Sequence, residues 1–327
     1  MGDRQNLRPP TRLADSFYNR RMSKSAIAAP PPAIPRPALL AGLAIAIGGA
    51  VLFSTKAIVA KLMYRYNIDA ITVIAFRMLF SVPVFAAIAV WQMRTQPALS
   101  GADRWRMVGL GLIGYYLSST LDFLGLQYIS VGLERLILFL TPTFVLLLTS
   151  MFLKRHISRI EWLAMATSYC GIVLVFAHDL RSGMGGVALG ALLVLGSAIA
   201  YALYLLFSGE LVRRIGSMRL VSYAMCVASA ACIAQFFALR PAALLIQPAA
   251  VYWLSLVNAV FCTILPVFMT MIAVQRIGAA TASQAGMVGP VSTLFLGALV
   301  LGEPITSVQL AGTALVLAGI YMLSRKK

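Results

Sequence analysis

Five ionisable residues lie inside stretches of the chain that are otherwise apolar: Lys56, Arg77, Asp122, Glu134 and Arg135. A charge at the centre of a hydrocarbon layer costs about 2.5 to 3.5 kcal/mol on insertion scales, so such groups must pair or face a polar cavity. Three cations against two anions leave a net charge of +1, which suits an anionic group such as a carboxylate on a bound molecule. The carboxylates are also candidates to carry a proton. A tightly paired carboxylate does not cycle a proton near neutral pH. The expectation is therefore that Glu134 pairs structurally with Arg135 or Arg77, while Asp122 is the titrating candidate. For Asp122, Glu134 and Arg135, which lie near the ends of their runs, snorkelling or stapling of adjacent helices is the alternative.

Polar side chains at helical spacing extend the set. Tyr115, Ser118, Ser119 and Asp122 fall at i, i+3, i+4 and i+7 on one helix face. Ser197, Tyr201, Tyr204 and Ser208 form a second stripe, and Asn258, Cys262, Pro266 and Thr270 a third. In a bilayer such residues either line a cavity or let helices pack closely. The candidate cavity residues beyond the five charges are Tyr115, Ser119, Tyr201, Tyr204, Asn258, Ser283 and Gln284. Pro142 and Pro290 interrupt apolar runs and are candidate hinges, with a static kink as the alternative. No catalytic or metal site is expected. The two histidines, His156 and His178, stand near the ends of apolar runs and form no cluster, and no nucleotide-binding Gly-Lys loop occurs.

The elements that must position these residues follow from composition. The chain of 327 residues is 60% hydrophobic and 11% charged, with mean hydropathy +0.87, where a soluble domain carries roughly 25% charged residues. Apolar runs long enough to cross a membrane as helices recur ten times, with cores at 38–63, 71–91, 107–126, 131–153, 160–177, 185–209, 218–239, 249–272, 279–302 and 307–323. The reading is an all-α polytopic membrane protein with ten transmembrane helices. The net charge of +17 distributes accordingly. With both termini inside, 20 Lys and Arg fall on the inner side and four, Lys61, Arg65, Arg181 and Arg240, on the outer side. That is the positive-inside pattern, so the basic character needs no nucleic acid as partner.

Cys170, Cys226, Cys232 and Cys262 fall within apolar runs and are expected to pack rather than form disulfides. Residues 1–37, Arg-rich and then Pro-rich ("APPPAIPRP"), are expected to be a disordered cytoplasmic tail that is dispensable for folding and is not a cleavable signal. Met22 offers a second candidate start.

The chain is also written twice. At an offset of 148 residues Gly42 meets Gly190, Gly48 meets Gly196, Gln127 meets Gln275, Ile129 meets Ile277, Pro142 meets Pro290, Leu153 meets Leu301, Ile157 meets Ile305 and Gly171 meets Gly319. All ten runs then fall into register without a gap. Each half holds five, at 38–178 and 185–323, and an odd number makes the second enter the membrane from the opposite side. Inverted repeats of this kind build many secondary transporters, with the substrate site between them. At the positions matching the five charges the second repeat has Tyr204, Met225, Thr270, Ala282 and Ser283.

"YISVGLERLILFLTPTFVLLLTSMFL", answered by "RIGAATASQAGMVGPVSTLFLGALVLGEPIT" and closed by "QLAGTALVLAGIYML", resembles the EamA-type members of the drug/metabolite transporter superfamily over residues 38–323. The resemblance implies a metabolite exporter or permease, with spans one, three, four, six, eight and nine around a central cavity and five and ten towards the periphery. It leaves the substrate open. The first half departs from the pattern, with "KRHIS" in place of the second half's Gly-Glu.

The function expected is secondary active export of small metabolites, such as amino acids, organic acids or amphipathic drugs, by alternating access. A non-transporting scaffold and an intramembrane enzyme are the alternatives. The partners expected are a small-molecule substrate, the lipid bilayer, a proton as candidate coupling ion and a second copy of the chain in a homodimer, with no cofactor. The location expected is a bacterial inner membrane.

Overall fold

The computed structural model describes residues 36–154, 156–181 and 185–325. The expected tail lies outside the described residues, except for Arg36 and Pro37, which open the first helix. Nine helices among the described residues are long and apolar enough to cross a membrane: α1 (Arg36–Tyr64), α2 (Ala70–Thr95), α3 (Gly101–Leu126), α4 (Val131–Phe152), α5 (Arg159–Arg181), α6 (Val187–Ile215), α7 (Ser217–Leu239), α8 (Ala249–Gly278) and α10 (Ser307–Ser324). Between the last two, α9 (Val288–Leu301) is shorter. The ninth crossing is completed by helical residues 279–285, which precede a tight turn at Gly286 and Met287. The molecule is thus an all-α bundle of ten membrane helices in two inverted repeats, with Arg36 and residue 325 on one side, called here the terminal side. Trp91, Trp105, Trp162 and Trp253 are all exposed near helix ends, where the indole ring bridges hydrocarbon and water.

The repeats interlock. α1 packs on α8 and its counterpart α6 on α3; α9 packs on α1 as α4 packs on α6; and α2 meets α7, α5 meets α10 and α4 meets α9. Every one of these contacts crosses from one repeat to the other, so each repeat buries its faces against its inverted copy. α5 and α10 meet most closely at glycines: a Cβ on Gly312 would stand 2.7 Å from the Gly171 carbonyl oxygen.

Several helix irregularities recur at matched positions, while the π-helical end of α9 at Gly297–Leu301 has no counterpart in α4. A π-helical segment interrupts α3 at Leu112–Leu117 and α8 at Val260–Ile264, 148 residues apart at their first residues. α4 tightens at Phe139 and Leu140, where Leu140 N–H donates to Ile137 O at 3.0 Å, and the ninth crossing tightens at Gly286 and Met287, where Met287 N–H donates to Gln284 O at 3.1 Å. Both turns lie within a few residues upstream of Pro142 and Pro290, because proline supplies no N–H to the preceding turn and its ring crowds the carbonyl four residues back. The far ends of the two crossings also match. Lys154 (φ 52°) and Gly302 (φ 74°) both take the left-handed conformation that terminates a helix.

On the side opposite the termini, Arg240 at the end of α7 grips Asp69 at the start of α2, with Nε to Oδ2 at 2.9 Å, while Thr72 donates its hydroxyl to Oδ1 at 2.5 Å. Partial burial pushes the Asp69 carboxyl up, and the Thr72 hydroxyl and the Arg240 guanidinium outweigh it, holding the group below the usual carboxylate range.

Candidate functional site

The five charges predicted from sequence come together. α1 brings Lys56, α2 Arg77, α3 Asp122, and the first turns of α4 bring Glu134 and Arg135. Their exposures run from 0% for Glu134 to 6% for Arg77, so the cluster is closed to both sides of the membrane in this conformation. α4 is set by Ser130, whose hydroxyl caps the helix by accepting from Leu133 N–H at 3.2 Å and donates to Asp179 at 2.5 Å. That cap places Glu134 within the positive end of the helix dipole.

Lys56 holds both carboxylates. Its ammonium is hydrogen-bonded to Asp122 and lies 3.4 Å from Glu134 Oε1. Glu134, expected to pair with Arg135 or Arg77, has Lys56 as its ion-pair partner, and neither of its oxygens accepts a hydrogen bond among the described residues. The arginines turn instead to neutral groups. Arg77 Nε donates to the Thr263 hydroxyl at 2.8 Å, and an Arg135 terminal nitrogen donates to the Ser54 hydroxyl at 3.0 Å. Thr263 is available because the π-helical segment of α8 lets its hydroxyl donate five residues back, to Asn258 O at 3.0 Å. Ser54 in turn reaches across to the Gly289 carbonyl of α9 at 3.0 Å. Among the described residues no carboxylate stands within ion-pair distance of either guanidinium.

Aromatic rings separate the cations. Phe123 lies between Lys56 (5.5 Å) and Arg77 (5.3 Å), and Phe53 between Lys56 (5.5 Å) and Arg135 (5.0 Å), with Phe139 6.0 Å beyond Arg135. Tyr64 fixes the Phe123 segment by donating its hydroxyl to the Phe123 carbonyl at 2.8 Å. The rings stabilise the cations through their faces without neutralising them, so the cluster keeps its excess positive charge. Sequence reading missed Phe53, Phe123, Phe139, Ser54 and Thr263. Helical spacing carries the signal for two of them, since Phe53 is three residues before Lys56 and Phe139 four after Arg135.

The remaining candidates fall elsewhere. Tyr115, Tyr201 and Tyr204 make their own cluster between α3 and α6, with ring centroids 5.1 to 6.4 Å apart and a 3.4 Å hydroxyl contact from Tyr115 to Tyr204. By the repeat offset this group stands where Thr263 and Lys56 stand in the other half, so one cluster is charged and its inverted counterpart aromatic. Ser119 is half-buried, and it is its neighbour Ser118 that crosses to Ser197, at 3.0 Å. Asn258 is fully buried, and both polar atoms of its amide lack a protein partner among the described residues. Gln284 is exposed, and the side chain of Ser283 lies outside the described residues.

An inverted-repeat bundle with a sealed, net-positive cluster at the contact of its halves is the architecture of a membrane transporter. The chain belongs to the EamA-like transporter family, which it matches twice, over residues 40–177 and 188–325. It is 33% identical over 278 residues to the uncharacterized transporter YcbK of Bacillus subtilis (strain 168), covering 83% of this chain and 89% of that protein. It is 26% identical over 265 residues to an uncharacterized transporter of Archaeoglobus fulgidus, covering 80% of this chain and 90% of that one. A solved crystal structure superposes with a TM-score of 0.60 over 86% of this chain and 96% of its own length at 15% identity, a likeness of fold. Family and relatives point to a transporter rather than an enzyme.

Proposed function

We propose that the protein exports small metabolites bearing an anionic group from the cytoplasm across a bacterial inner membrane, by alternating access around the Lys56 cluster. The observation that carries this reading is the division of partners. Lys56 takes both acids, while Arg77 and Arg135 are held by the hydroxyls of Thr263 and Ser54. A guanidinium facing only hydroxyls keeps its capacity to take a carboxylate or phosphate through two parallel hydrogen bonds. The buried Asn258 amide adds a donor and an acceptor on α8. The cytoplasmic placement of the termini rests on the 20 to 4 bias of basic residues.

A coupling proton fits the same site. Asp122 is engaged by Lys56, whereas Glu134 accepts no hydrogen bond among the described residues and shares the same ammonium at 3.4 Å. We therefore assign the coupling role to Glu134 rather than Asp122, with Lys56 released to a substrate or to Asp122 as the proton comes and goes.

Purified protein in liposomes tests the proposal. Carboxylates that raise its melting temperature should show saturable counterflow without chemical change. Glu134→Gln should abolish accumulation driven by a pH gradient and leave counterflow standing. A substrate that is chemically converted, or full gradient-driven accumulation by Glu134→Gln, contradicts the proposal.

A further inference from the structure

We infer that Glu303, in the short turn after α9, is a positioning residue that latches the carrier shut on the side opposite the termini. Its carboxylate joins three elements. Oε1 pairs with Lys61 of α1 at 3.3 Å, and Oε2 accepts from the Val131 N–H that opens α4 at 3.2 Å. Two residues before it, the Leu301 carbonyl accepts from Arg65 at 2.9 Å, a second tie between α1 and the end of α9. An anion at the first N–H of a helix also gains from the helix dipole.

The latch lies over the charged cluster. Lys61 is five residues beyond Lys56 on α1, about 7 Å along the axis, and Val131 is three residues before Glu134 on α4. A molecule leaving the cluster towards that side must part α1, α4 and α9, which are the helices that Glu303 holds together.

The inverted repeat supplies the comparison that makes this directional. At the 148-residue offset, Lys61 corresponds to Gly209, Arg65 to Arg213 and Glu303 to Arg155, the last of which lies outside the described residues. The terminal side thus has no acid at the position of Glu303. In its equivalent seam, between α4 and α6, Phe152 and Phe207 meet edge to face at 5.6 Å and are both exposed. Among the described residues no ion pair or side-chain hydrogen bond joins α4 to α6, and the terminal side is tied instead by Arg214 of α6 on Asp103 of α3, whereas at the other side one carboxylate ties α1, α4 and the end of α9 together. The Glu303 tie is thus a feature of the side opposite the termini, without an acid at the matching position of the other repeat.

The inference rests on the carrier reading, and its test is read separately from transport. Cys262, fully buried and 3.0 Å from the Thr55 hydroxyl beside Lys56, serves as a native reporter once Cys170, Cys226 and Cys232 are replaced by serine. A small cationic, membrane-impermeant thiosulfonate added from the side opposite the termini should label Cys262 slowly in that background. It should do so about fivefold or more faster in Glu303→Gln, the scale of a typical coupling between two states. A second arm joins Lys61→Cys to Glu303→Cys with a short bis-thiosulfonate. Counterflow should stop on cross-linking and return on reduction. An unchanged labelling rate in a Glu303→Gln protein of wild-type melting temperature, or counterflow that persists in fully cross-linked protein, overturns the latch. Faster labelling with no counterflow in any variant overturns the carrier reading and leaves the latch standing.

Discussion

At the scale of single residues, two kinds of charge pairing are separated by depth. Inside the bundle, Lys56 binds two carboxylates while two arginines rest on hydroxyls. At the rim, Asp69 and Arg240 form a one-to-one pair reinforced by Thr72. The second arrangement is structural and its pH dependence has a definite sign. The Asp69 carboxyl is held below its ordinary pKa of about 3.9, so the stability it contributes is fully present above that value and is lost as the pH falls through the folded-state value. Asp69→Asn should therefore narrow the melting-temperature difference between neutral and strongly acidic solution relative to wild type. Parallel curves for the two proteins would show that the pair contributes nothing. The partners of the deep charges were not legible in the sequence. Glu134 and Arg135 are adjacent in the chain, yet on a helix neighbouring side chains diverge by about 100°, which sends Glu134 to α1's ammonium and Arg135 to Ser54.

At the scale of elements, apolar runs and the repeat offset were enough to place ten crossings, because a helix in hydrocarbon must satisfy its own backbone and announces itself by length. What the runs conceal is where those helices depart from ideal geometry. The π-helical segments in α3 and α8 shift hydrogen bonds by one residue; Pro266 directly follows the second but does not announce that geometry, and this segment delivers Thr263 to Arg77. Pro142 and Pro290 did mark the tight turns, which fall just upstream of each ring. The left-handed ends of the fourth and ninth crossings give a quantitative contrast. Gly302 adopts φ 74° freely, whereas Lys154 holds φ 52° against the Cβ clash that disfavours this region. Gly302→Ala should lower stability by about 1 kcal/mol, and Lys154→Gly should cost less than that or raise stability. Chemical denaturation in detergent reads both, and equal losses would mean that the helix ends are set by packing instead.

At the scale of the whole molecule, the halves are interleaved, so the largest contacts of each repeat are made with its inverted copy. In the proposed alternating access such an arrangement would have two related packings, one opening each side, with the sequence differences between the repeats setting their balance. The first repeat contributes the five clustered charges, and the second supplies Thr263, the Gly289 carbonyl and Glu303 around them. The proposed export places an anionic group against Arg77 and Arg135, and a ligand that binds only the folded protein raises its melting temperature by an amount that grows with the logarithm of its concentration over Kd. The most direct measurement is the thermal shift of purified protein with matched probes of one skeleton, such as benzoate, benzylamine and benzyl alcohol, extended to larger carboxylates and phosphates. In each set the anionic member should give the largest rise, and Arg77→Gln or Arg135→Gln should weaken it by about tenfold or more in apparent affinity, the loss expected for a hydrogen bond to a charged group. Equal shifts from the cationic or neutral members, or shifts that survive intact in both arginine variants, would contradict the account.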